Sequence, residues 1–118
     1  MRITILLPAF ILVLVGIALA QSEPEAYKFA EFGKMSNRGV NSKMNDFMIE
    51  LVNNSNSQGY VISYGSPKDL SLRSTQLVAG IALLKLDSPR ITFVNGRAEK
   101  TVRTVMWIVP LGAKPPAP

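Results

Sequence analysis

Cysteine and histidine are both absent from this 118-residue chain. Without cysteine no disulfide can staple a small fold, so the domain must rest on its hydrophobic core. The same two absences remove the thiol and imidazole nucleophiles, the commonest general base and the commonest zinc ligands. Carboxylates are few, 8 Asp and Glu in all. Asp46 and Glu50 stand one helical turn apart beside an apolar stripe, a position of solvated surface charge rather than of a convergent catalytic pair. No Gly-x-Ser-x-Gly string marks a nucleophile elbow. Catalysis is not expected, and no cofactor or metal is implied.

Runs of like charge are missing as well. The chain holds 13 Lys and Arg, and outside Arg2 the basic residues are scattered singly among the acidic ones. Such a pattern does not form a nucleic-acid stripe, and the aromatics fall in predicted strands away from any basic cluster. A mildly basic surface still attracts an anionic polymer, such as cell wall or lipid headgroup, weakly. A solvated mixed surface is the plainer reading.

What the chain does have is an apolar N-terminus. Arg2 supplies a positive start, Leu6–Leu19 an apolar run, and Ala18-Leu19-Ala20 the small-x-small pattern that a signal peptidase seats. The alternative, a retained anchor, needs about 20 apolar residues to span a bilayer, and this run is shorter. Residues 1–20 therefore read as a signal cleaved after Ala20, leaving an exported protein, periplasmic or extracellular, that meets the membrane only through the uncleaved signal. The remaining length suits one modest core.

After a polar lead-in over 21–26, Tyr27–Phe32 is dense in aromatics and reads as a strand, Tyr27, Phe29 and Glu31 on one side and Lys28, Ala30 and Phe32 on the other. Residues 34–41 read as a polar loop. Met44, Phe47, Met48, Leu51 and Val52 then fall at helical spacing, with Asn41 or Ser42 as the N-cap and the Asn53–Gly59 polar cluster as the stop. Tyr60–Tyr64 is a near-continuous apolar run between two glycines, the signature of a central strand covered on both faces. Ser66-Pro67-Lys68-Asp69 opens a second helix: Ser66 as cap, Pro67 where a missing N–H costs nothing, Asp69 as first-turn negative charge. Leu77, Val78, Ile81 and Leu84 form its buried stripe. Gly80 inside it implies close approach to the sheet, and Pro89 ends the helix near Leu86. Arg90–Val94 and Thr101–Val109 are the last two strands, separated by the Asn95-Gly96 turn. The proline-rich tail 111–118 is expected to trail into solvent.

The order β-α-β-α-β-β predicts an α+β fold, a two-layer sandwich in which a mixed four-stranded sheet carries two helices on one face, over residues 27–110. Pattern leaves open whether the last two strands pair directly.

This order and several strings resemble the OmpA-like peptidoglycan-binding domain. Leu70-Ser71-Leu72-Arg73-Ser74, followed by the helix and by Ser88-Pro89-Arg90-Ile91-Thr92, is similar to that family's Leu-Ser-x-x-Arg-Ala helix and its exit into the third strand. Gly59–Gly65 resembles the second strand, Lys34-Met35-Ser36 the residues before the first helix, and Arg103-Thr104-Val105, loosely, an Arg-Arg-Val in the last strand. Phe32-Gly-Lys-Met-Ser36 and Trp107-Ile-Val-Pro110 also resemble a set of short, uncharacterised exported bacterial proteins. The family resemblance implies a two-point clamp on a peptidoglycan diamino acid, an aspartate taking the ammonium and an arginine the carboxylate. Arg73 stands at the arginine position. The aspartate position and its long loop are missing, Ser66, Pro67 and Lys68 following Gly65 directly, so Asp69 is the only nearby acid, either a substitute or simply a helix-capping charge. Arg73 is either a ligand contact or an ordinary surface residue. The short Gly96–Thr101 connection trims the rim of such a site.

Two functions follow. One is a non-catalytic envelope module that binds peptidoglycan or another envelope component through Arg73, with Asp69. The other is an exported structural or protein-interaction domain that keeps the fold without the ligand, its partner lying along the sheet edge.

Overall fold

The computed structural model describes residues 23–86 and 88–118; the leader 1–20 and its cleavage point lie outside the described residues. Six principal elements alternate as β1 (Tyr27–Phe32), α1 (Asn37–Asn53), β2 (Gln58–Tyr64), α2 (Pro67–Leu84), β3 (Ile91–Asn95) and β4 (Arg103–Val109). A single 3₁₀ turn, Ser88–Arg90, leads into β3. The expected α+β class and element order are observed.

The sheet order is β1-β4-β2-β3. β2 and β3 are parallel neighbours joined through α2. β4 lies antiparallel to both β1 and β2 and fills the space between them. The last two strands are therefore separated by β2. The Asn95-Gly96 dipeptide closes no tight hairpin: the Gly96 N–H donates to the Ser63 carbonyl (2.8 Å) and continues the β2–β3 pairing.

α1 begins earlier than its apolar spacing suggests. Ser36, not Asn41 or Ser42, is the N-cap, its Oγ accepting from the Gly39 N–H at 3.1 Å. Val40, fully buried, starts the inner stripe that runs on through Met44, Phe47 and Leu51. Val52 faces outward. A fully buried side chain of this size contributes roughly 1.5–3 kcal/mol, so these four hold the helix on the sheet. Beyond its far end Arg90 donates from Nη2 to the carbonyls of the C-cap Asn54 and of Ser57, at 3.0 and 2.7 Å, fastening the turn between α1 and β2.

α2 opens as the Ser66-Pro67-x-Asp69 pattern requires: Ser66 Oγ accepts from the Asp69 N–H at 3.2 Å, and Pro67 occupies the first turn. It ends at Leu84, with Lys85 in a left-handed cap (φ 53°), slightly before Leu86. Its inner side is Arg73, Leu77 and Gly80, with Ile81 and Leu84 packed alongside, while Val78 is exposed. Gly80 approaches α1, not the sheet: a Cβ there would stand 2.9 Å from Asn41 Oδ1 and 3.6 Å from Met44 Cγ.

The main core lies between helices and sheet, where Phe32, Val61, Ile91, Met106 and Ile108 meet the helical stripes. A register shift between Lys28 and Ala30 turns both Phe29 and Ala30 toward this core, replacing the simple alternation expected of β1. Phe29 meets Phe47 with ring centroids 5.7 Å apart. β2 is buried along most of its length as expected, but the helices cover only one of its faces. On the other, Ile62, Tyr64 and Val105 are covered by Tyr60, Val94 and Trp107, and Arg103 stacks 4.1 Å above the Tyr64 ring. The chain end does not simply trail away. Ala113 N–H donates to the Pro110 carbonyl at 3.0 Å, and the resulting turn brings Gly112 beside Pro24.

Candidate functional site

A concavity of about 690 Å³ opens where three chain-distant pieces meet. The β1–α1 connection contributes Lys34, Met35 and Asn37; the first turns of α2 contribute Lys68, Asp69, Leu72, Arg73 and Gln76; the β3–β4 connection contributes Lys100, Thr101 and Val102. Asp69 and Arg73, the two candidates from sequence, border this same cleft one helical turn apart. That placement follows from the capping pattern, because starting α2 at Pro67 puts positions 69, 72, 73 and 76 on one side.

Arg73 is not a surface residue. It is 2 % exposed and lies on the inner stripe of α2, its guanidinium 4.8 Å above the centre of the Phe32 ring. Nη1 donates to Thr104 Oγ1 and Nη2 to the Gly33 carbonyl, while Nε donates to Gln76 Oε1 at 3.1 Å. Gln76 is in turn anchored by its Nε2, which donates to the Met35 carbonyl and Asn37 Oδ1, both at 2.9 Å. Thr104 Oγ1 shares a 3.0 Å hydrogen bond with Ser63 Oγ. One end of the core is thus a polar network joining α2, β2, β4 and the β1–α1 connection, with the arginine at its centre.

All three partners of Arg73 are uncharged. Among the described residues no carboxylate forms an ion pair with it, Asp69 included. Burial accordingly pulls the guanidinium below the ordinary arginine range. Asp69 is half-buried and makes no ion pair among the described residues. Its backbone serves the Ser66 cap, while its carboxylate lies at the positive end of the helix.

Lys34, Lys68 and Lys100, solvent-exposed and far apart in the chain, bring three further positive charges to the cleft. With Arg73 they make four cationic residues against one carboxylate. The one-dimensional scatter of basic residues concealed this convergence, because it is produced by the ends of β1, β2 and β4 lying side by side. The same is true of Gln76 and Thr104, which hold Arg73 and carry no motif. The short Gly96–Thr101 connection contributes Lys100 and Thr101 to the rim of the cleft.

Asp46 and Glu50 lie on α1 outside the cleft, and Glu50 accepts from Asn54 Nδ2 at 3.0 Å. Among the described residues no three metal-ligating side chains gather, and no helix is long and apolar enough to cross a membrane. No protein-family model matches the chain, and no curated protein sequence is significantly similar to it.

Proposed function

We propose that the protein is an exported, non-catalytic module that binds a component of the cell envelope, peptidoglycan foremost, in the cleft beside α2. The observation that carries this reading is the meeting of Asp69 and Arg73 on one wall of a concavity large enough for a small polar ligand. The β-α-β-α-β-β order and the Leu70-Ser71-Leu72-Arg73 string support kinship with OmpA-like domains. The leader pattern at residues 1–20 supports delivery to the envelope.

Arg73 is a poor target for mutation, since its loss would dismantle the network beneath the cleft. Leu72 borders the cleft and is 59 % exposed, so Leu72→Trp obstructs it without touching the core. Sedimentation with insoluble peptidoglycan should retain the wild type and release Leu72→Trp. Equal retention of both removes the cleft as the binding site.

A second reading draws on the internal engagement of Arg73, whose Nε, Nη1 and Nη2 all bond within the protein. A domain that has turned its arginine to structural use is a fold kept without its ligand, serving as a structural or protein-interaction domain. Its partner would then add along the open edge of β1 or β3. That reading expects specific capture of an envelope protein and no retention on peptidoglycan; a monomer that captures nothing counts against it.

A further inference from the structure

The charge of the cleft says which part of a ligand it can hold. A buried guanidinium is tolerated when a carboxylate neutralises it, yet every partner of Arg73 is an amide, a hydroxyl or a carbonyl. A guanidinium has five N–H groups. Three of these hydrogen bonds are accounted for, one at each nitrogen, so both terminal nitrogens retain a second N–H. Above this charge stand Lys34, Lys68 and Lys100, from three separate segments, with ammonium groups on flexible stems that can turn inward. The first turn of α2 adds the positive end of a helix dipole to the same space. Against all of this stands Asp69 alone.

Taking the cleft as the ligand site proposed above, we infer that it selects compact oxyanions, carboxylate or phosphate, and does not hold an ammonium group. A zwitterionic amino acid brought to it meets four positive groups with its own positive end, and one carboxylate cannot offset that repulsion. An anion with two or three charges instead compensates the uncountered charge below it and the lysines around it. The pairing is long-range and partly solvent-exposed, so it weakens as ionic strength rises.

The test uses ¹⁵N-labelled full-length protein, reading the backbone amides of Thr101 and Val102 during titration with citrate, inorganic phosphate and the zwitterionic diamino diacid 2,6-diaminoheptanedioate. Citrate should shift these resonances saturably, phosphate should do so less strongly, and the diamino acid should leave them in place. A stronger response to phosphate than to citrate assigns the site to phosphate-bearing polymers and still supports the oxyanion. Lys68→Glu/Lys100→Glu, both exposed positions, should retain the fold by circular dichroism and weaken citrate at least about tenfold.

Binding of the diamino acid but not of citrate overturns the inference, as does citrate binding that the double variant leaves unchanged. Peptidoglycan retention blocked by Leu72→Trp, without any response to citrate or phosphate, overturns it while leaving the envelope-binding proposal standing. Anion binding without peptidoglycan retention does the reverse.

Discussion

Arg73 on α2 donates from Nη1 to Thr104 Oγ1 on β4. This bond ties the helix that walls the cleft to the strand inserted in the middle of the sheet. Thr104 is fully buried and also bonds Ser63 on β2, so one hydroxyl joins three elements. The arginine is at once the floor of the candidate site and part of the framework that shapes it.

Arg73→Ala should therefore destabilise the protein by about 2–5 kcal/mol, since it leaves the Gly33 carbonyl and the Gln76 amide oxygen without their donor and opens a cavity beside Phe32. Arg73→Met, which keeps most of the volume and introduces no buried charge, should cost distinctly less. Urea denaturation of the two variants checks the order. Equal losses would mean that the charge and its hydrogen bonds, rather than the packing, account for the effect.

Thr104→Val is nearly isosteric, so packing survives while the hydroxyl disappears. Arg73 Nη1 and Ser63 Oγ then lose a buried partner, at about 1–3 kcal/mol. Combined with Arg73→Met the cost should fall short of the sum of the two single variants, because both remove the same bond. Additive losses in the double-mutant cycle would contradict the shared network.

Two glycines make opposite predictions. A Cβ at Gly59 would lie 2.7 and 2.8 Å from Phe47 ring atoms in the centre of the core. Gly59→Ala should cost about 1–3 kcal/mol by overpacking. At Gly80 the nearest atom is the end of the Asn41 side chain, which can turn aside, and alanine gains about 1 kcal/mol of helix propensity. Gly80→Ala should be close to neutral. Thermal unfolding of the pair reads the contrast directly.

The outer face of the sheet carries a pH-dependent pair. Arg103 donates to both oxygens of Glu99, at 3.1 and 2.8 Å, and this bonding holds the Glu99 carboxyl below its ordinary value of 4.5. A carboxyl lowered in the folded state stabilises fully above its unfolded value, and that contribution fades as pH falls through the folded value. The stability difference between wild type and Glu99→Gln should accordingly be largest above pH 4.5 and shrink below it. A difference that grows on acidification would contradict the pairing.

Much of the architecture was legible locally. Ser66, Pro67 and Asp69 announce the start of α2 because capping is settled within one turn of chain, and the structure shows that cap. Periodicity found both helices and all four strands, since an element that buries one face must repeat apolar residues at its own period. It failed where that face was marked by something other than a large apolar side chain. Gly39 obscured the first turn of α1 ahead of Val40. Val52 and Val78 match the helical period by apolarity yet face outward, because Leu51 and Leu77 already fill the inner surfaces.

The relations that matter for function join residues far apart in the chain. Insertion of β4 between β1 and β2 is a choice among strand pairings of similar local propensity, decided by which arrangement buries Met106 and Ile108 beneath both helices. That choice brings Thr104 under Arg73 and carries Lys100 toward Lys34 and Lys68. No short-range pattern encodes those meetings. An ordinary-looking helical arginine became a buried charge, and scattered lysines became one basic cleft, because hydrogen-bond register and close packing act between segments that the chain keeps apart.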